Sequence, residues 1–188
     1  PNIDDTTVEA MLNVCTAYKG YCFPMIGFHP TSVGADSLFR IYEMKKLLSG
    51  EHPFVAVGEV GMDLYWDKTY LKEQQKALDI QIQWALEYHL PLVLHCREAF
   101  PELFEVMEPY KKTELSGIFH SFTGTLEEAG QVLEYARFFF GINGVVTFKK
   151  SSLAEVLPHI PLGRIVLETD SPYLAPVPFR GKRNESSY

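Results

Sequence analysis

Short apolar runs recur along the chain, and each ends in a polar or ligand-type residue. Val55-Ala56-Val57-Gly58 ends in Glu59, Leu92-Val93-Leu94 in His95, and Gly117-Ile118-Phe119 in His120. Ile165-Val166-Leu167 runs into Glu168-Thr169-Asp170, and Pro172 then stops the strand. Runs of this kind predict buried parallel strands that carry their last side chains to the rim of a sheet. Strands are expected over 21–29, 54–59, 92–96, 117–120, 138–143 and 164–168. Between them the apolar period becomes helical. Behind the N-cap candidates Asp4 to Thr7, Val8, Met11, Leu12 and Cys15 share a helix face until Gly20 ends the run. Further helices are expected over 36–48, 69–88, 101–110, 126–136 and 151–157, with Leu71, Leu78, Ile82 and Ala85 on one face of the longest.

Strand and helix thus alternate six times. The residues at the strand ends, His29, Glu59, His95, His120, Asn143 and Asp170, fall 23 to 36 positions apart, the length of one βα unit. Such alternation implies a parallel sheet with right-handed crossovers. Ligand-type residues at many successive strand ends favour a closed barrel, whose C-terminal rim gathers them round one centre. No glycine-rich phosphate loop follows the first strand, which weakens the doubly wound alternative. The expected fold is α/β, a TIM-type (β/α)8 barrel forming a single domain over residues 1–188. With about six βα units in view, the first two strands and the C-terminal helix are expected to be missing from this chain.

Composition narrows the class of function. Of 188 residues 46% are hydrophobic, enough for a sizeable core. A formal net charge of −7 argues against a protein that coats nucleic acid through a broad basic surface. It leaves room for an enzyme that holds one phosphate locally. Cys15, Cys22 and Cys96 form no CxxC pair, so reduced thiols in a cytoplasmic protein are expected. No apolar run approaches membrane-spanning length, and no membrane partner is expected.

Glutamate, two histidines and aspartate at strand ends are hard or borderline metal ligands. Each residue alone has a plainer reading: Glu59 as a solvated strand end, and His95 or His120 as hydrogen-bonded core residues. Asp170 shares its side of the strand with Glu168, so that one can cap a turn while the other binds. Together at βα spacing, Glu59, His95, His120 and Asp170 make a metal site the better account. Arg97 lies on the same side of its strand as His95. It can hold a phosphate oxygen, or pair with Glu98 or another acid. His29 is a further candidate for the pocket, whereas His52, His89 and His159 are expected in solvent. Lys149-Lys150 and Arg180-Gly181-Lys182-Arg183 are basic clusters that can steer a polyanion.

Read together, the segments resemble the TatD-type metal-dependent deoxyribonucleases of the amidohydrolase superfamily. The resemblance rests on Ile26-Gly27-Phe28-His29-Pro30, Gly58-Glu59-Val60-Gly61-Met62-Asp63, His95-Cys96-Arg97-Glu98-Ala99 and Phe119-His120-Ser121-Phe122-Thr123-Gly124. It continues through Gly141 to Lys149 and Glu168 to Pro176, and Arg180 to Glu185 extend the last motif. It implies a TIM-type barrel and two divalent metal ions drawn from Mg, Mn, Zn or Ni. Glu59, His95, His120 and Asp170 match metal positions, with Glu59 bridging the two ions. His29 and Arg97 match positions near the substrate. The implied partner is nucleic acid, with DNA as substrate, and the implied activity is that of an exonuclease on single-stranded DNA. Asp170 and Glu59 would be the catalytic residues, Asp170 accepting the proton of the attacking water. Family members open with a strand ending in His-x-His, a motif this chain lacks. Two other readings therefore stand beside the first: an amide or ester hydrolase of the same superfamily, and an inactive fragment or binding module.

Overall fold

A computed structural model describes residues 1–188. Two compact units divide the chain, Pro1–Gly117 and Ile118–Tyr188. The fold is α/β, and its six strands follow chain order in a parallel sheet. No helix is long and apolar enough to cross a membrane.

In the first unit a capping box opens the chain's first helical segment. The Asp4 side chain accepts from the Thr6 and Thr7 end of a short 3-10 turn, and α1 follows over Val8–Ala17. Strand β1 is Met25–Ile26, far shorter than expected, because Tyr21 and Phe23 lie exposed and Pro24 has no N–H to offer a neighbour. Helix α2 covers Ser37–Lys45 and tightens into a 3-10 turn through Leu48. Strand β2 is Ala56–Asp63, helix α3 is Leu71–Glu87, strand β3 is Leu92–Arg97, and helix α4 is Phe100–Met107. Strands β1, β2 and β3 pair in parallel in that order.

β2 departs from expectation in a way that matters for the site. It does not stop at Glu59 but continues four residues further. The pairing with β3 jumps from Gly58–Val93 to Val60–Leu94, leaving Glu59 out of register in a bulge. A bulge re-aims a side chain that regular alternation would send elsewhere. Past it, Gly61 faces His95, and Asp63 faces Arg97.

Helix α3 buries two glutamines among its apolar residues, a full two turns apart. The Gln81 side chain accepts from the Phe28 N–H at 2.6 Å and donates to the Phe28 carbonyl at 3.3 Å. Gln74 does the same for Asp63, accepting from its N–H at 2.9 Å and donating to its carbonyl at 3.0 Å. Each glutamine satisfies a backbone that leaves the sheet beside a site residue, which is why buried polar groups are tolerated here. Asn2, also buried, pairs with Gly27 through both ends of its amide, and the Ile3 carbonyl accepts from the His29 N–H at 2.8 Å.

Strand β4 is Gly117–His120, all but its first residue in the second unit, where helix α5 is Leu126–Leu133, β5 is Phe138–Ile142, α6 is Leu153–Val156 and β6 is Ile165–Leu167. A Thr125–Glu128 capping box starts α5. β5 and β6 pair in parallel, and Arg164 ties the start of β6 to the carbonyls of Phe138 and Tyr135, both at 2.6 Å. β6 was expected to be fully buried. It is instead the end strand of the sheet, and Leu167 is 87% exposed.

Candidate metal centre

In the first unit the structure brings together His29, Glu59 and His95. One ligand atom from each lies within 4.8 Å of the others, a separation close to what a single divalent cation bridges. The two imidazole rings are 4.5 Å apart, and His29 Nε2 stands 3.8 Å from Glu59 Oε2, beyond hydrogen-bond reach.

The hydrogen bonds separate the roles of the two histidines. A backbone N–H can only donate, so His29 Nδ1 accepts from the Thr31 N–H at 3.2 Å. With Nδ1 accepting, the neutral ring carries its proton on Nε2, facing Glu59. His95 is arranged the other way. Its Nε2 lies 2.9 Å from Asp63 Oδ2, so this nitrogen carries the proton and Nδ1 keeps its lone pair. A carboxylate behind an imidazole fixes its tautomer and strengthens it as a ligand.

Asp63 is the site residue that hydrophobic patterning missed. It is only 3% exposed, and nothing about a residue just past an expected strand end marks it as a partner of His95. Burial pushes its carboxyl up, but the hydrogen bond and charge of His95, the Tyr65 N–H and the charge of Arg97 outweigh that and hold it below its ordinary value. Asp63→Asn is expected to weaken divalent-cation binding about 10- to 100-fold, which calorimetric titration with Mn²⁺ would measure. The same shift has a stability signature. A carboxyl with a depressed folded pKa contributes stability that is whole above the unfolded value of about 3.9 and is lost as pH falls through the folded value. The variant should therefore show a flatter acid limb in urea unfolding.

The second unit repeats the arrangement. His120 Nδ1 lies 2.8 Å from Glu168 Oε2, and the Ser121 N–H donates to the other oxygen of Glu168. His120 thus presents an unprotonated Nε2, which stands 3.3 Å from Asp170 Oδ1. Two acceptors this close require a proton or a cation between them. The Asp170 side chain is 38% exposed, so the pair is open to solvent and to ions. Of the two acids, Glu168 is hydrogen-bonded behind the ring and Asp170 stands in front of it. Gly141 makes room for this: a Cβ there would lie 2.5 Å from Glu168 Oε2. Asn143 is buried, donating to Ser121 Oγ at 2.8 Å and accepting from the Val145 N–H.

Imidazole and carboxylate together suit Zn, Mn or Ni, and the carboxylates also suit Mg. The donor sets of both units fit a divalent cation. Arg97, by contrast, lies over aromatic rings, 3.6 Å above the Tyr65 centroid and 5.4 Å from that of Trp66. Of the histidines expected in solvent, His89 and His159 are exposed, whereas His52 packs against Phe54 and Tyr88. The cysteines form no disulfide. In the basic clusters, Arg180 stacks 3.5 Å over Phe148.

Known proteins are similar to this chain in sequence and in fold. The family described as TatD related DNase matches residues 1–188. A Bacillus subtilis protein named uncharacterized metal-dependent hydrolase YabD is 35% identical over 98% of this chain and 72% of its own length. A Pantoea ananatis protein named 3'-5' ssDNA/RNA exonuclease TatD is 35% identical over 92% of this chain and 68% of its own. The crystal structure of YJJV, a TatD homologue from Escherichia coli K12, superposes with a TM-score of 0.83 at 27% identity, covering 98% of this chain and 71% of the other. The α/β fold and six-stranded parallel sheet fit the TIM-type barrel of such neighbours. With its whole length matched, the chain belongs to the TatD-related DNase family of metal-dependent hydrolases.

Proposed function

We propose that this protein hydrolyses phosphodiester bonds of nucleic acid, as a deoxyribonuclease acting on single-stranded DNA in the cytoplasm with two divalent metal ions. The observation that carries this reading is the repeated pairing of a carboxylate-backed histidine with a second, forward-facing carboxylate. His95 is held by Asp63 with Glu59 close by, and His120 lies between Glu168 and Asp170. Glu59 and His95 in the first unit, with His120 and Asp170 in the second, are the residues that would hold the ions. A divalent cation bound there supplies charge that offsets the phosphate's and lowers the pKa of a water.

The remaining chemistry belongs to the chain's own side chains. Asp170 is solvent-accessible and accepts the proton of the attacking water. His29, with its proton held on Nε2, donates to a phosphate oxygen as negative charge develops there. Arg97 offers a planar fork of donors that matches phosphate geometry. The Pantoea relative named as an ssDNA/RNA exonuclease supports nucleic acid as the substrate class.

The test is cleavage of end-labelled single-stranded DNA, set beside a panel of amides, lactones and carboxylic esters. Activity on DNA that EDTA abolishes and Mn²⁺ or Mg²⁺ restores is expected. Turnover confined to the amides or esters would replace this reading with the other hydrolase of the superfamily. No turnover on any substrate, with every metal supplied, would leave a binding module.

A further inference from the structure

Two large aromatic side chains stand exposed just past the end of β2, the strand that carries Glu59. Tyr65 is 47% exposed and Trp66 is 73% exposed. Their rings meet edge to face, 4.8 Å between centroids at 88°. Neither position follows from core packing, and an exposed tryptophan beside a polar site is the kind of surface that binds something.

The segment is rooted rather than loose at its base. The Leu64 N–H donates to the Arg97 carbonyl at 3.0 Å, and the Tyr65 N–H donates to Asp63 Oδ1, also at 3.0 Å. The other oxygen of that carboxylate holds His95. One side chain therefore holds both a candidate metal ligand and the backbone that carries the first ring of the aromatic pair. Arg97 completes the arrangement by laying its guanidinium on the Tyr65 face. Stacking uses the face of the guanidinium and leaves its N–H edge directed outward in its own plane, where it can meet phosphate oxygens.

We propose that Tyr65, Trp66 and Arg97 form a nucleobase-stacking subsite, on which an unpaired base of the substrate lies against Trp66 while Arg97 holds the neighbouring phosphate. The inference rests on the phosphodiester reading above and names what that site recognises. Every base has a π-face, so such a platform tolerates any sequence. It needs a base free of its partner strand, and it therefore selects single-stranded over duplex substrate.

Trp66 supplies its own reporter. The chain has two tryptophans, and the other, Trp84, is 1% exposed. Titrating the metal-free protein with oligothymidylate should give saturable quenching of tryptophan fluorescence. An abasic oligonucleotide of equal length and charge should quench far less. Equal quenching by both, or by neither, overturns the proposal. In turnover, unmodified protein should show a KM lower by about tenfold or more for the base-bearing strand than for the abasic one, within the range that one stacked base contributes. Trp66→Ala should lose that preference, with an unchanged thermal unfolding curve showing that the fold is intact. A preference that survives Trp66→Ala sinks the platform. If the unmodified protein cleaves no phosphodiester at all, the functional reading fails, and the quenching comparison still decides whether bases stack on Trp66.

Discussion

Glu59→Gln is expected to slow metal-dependent phosphodiester cleavage by at least about 10³-fold, the scale on which losing one preorganised electrostatic group acts, while leaving the unfolding midpoint nearly unchanged. The substitution keeps the shape of the side chain and removes its charge. Glu59 sits in the β2 bulge, outside the strand register, and its side chain is 17% exposed. The side chain is mostly enclosed, but glutamine has the same shape, so the amide should fit where the carboxylate stood. What changes is the charge facing His29 Nε2 and the ligand atom offered beside His95. Mn²⁺ titration should show weakened binding in the same variant, which separates a lost ligand from a lost proton acceptor. Cleavage at the unmodified rate, still sensitive to chelators, would falsify the assignment of Glu59 as a ligand.

Gly61→Ala is expected to do the opposite, destroying the fold rather than the chemistry. Gly61 has φ +142°, a conformation that L side chains rarely adopt. A Cβ there would lie 1.9 Å from the carbonyl oxygen of His95, its partner on β3. The obstacle is backbone, so no rotamer change relieves it. Strands β2 and β3 would have to separate at the point where they position Glu59, Asp63 and His95. A cost above about 4 kcal/mol is expected, an exceptional value for a single substitution and a large part of a typical domain's 5–15 kcal/mol. Circular dichroism and urea unfolding should show a chain that is insoluble or lacks a cooperative transition. A soluble variant with the unmodified midpoint would mean that β2 and β3 can part without loss. Gly61 and Glu59 lie two residues apart in one motif, yet the first serves the backbone and the second the reaction.

The strands that carry the candidate site were partly legible in hydrophobic patterning, because a parallel strand of an α/β fold delivers its last residue to one rim. The apolar runs ending in His95 and His120 became β3 and β4, and β4 took the expected bounds, Gly117–His120. What patterning could not show is where a strand stops when pairing, rather than composition, extends it. β2 runs on to Asp63 because Gly61 allows close contact with β3, and only then does Asp63 reach His95. Nor does the apolar spacing of the long helix mark Gln74 and Gln81 for burial. Their burial is decided by the backbones of Asp63 and Phe28, which need partners where the sheet ends.

The residues by themselves determined the alternation of strands and helices, the candidate ligands Glu59, His95, His120 and Asp170, and the likeness to a family of metal-dependent hydrolases. These are local or one-dimensional properties: a period, a residue type at a strand end, a motif in order. Tertiary structure alone decided which nitrogen of each histidine is available. That choice is made by a distant donor or acceptor: the Thr31 N–H for His29, Asp63 for His95 and Glu168 for His120. A tautomer is set by a hydrogen bond across space, and no spacing along the chain encodes it.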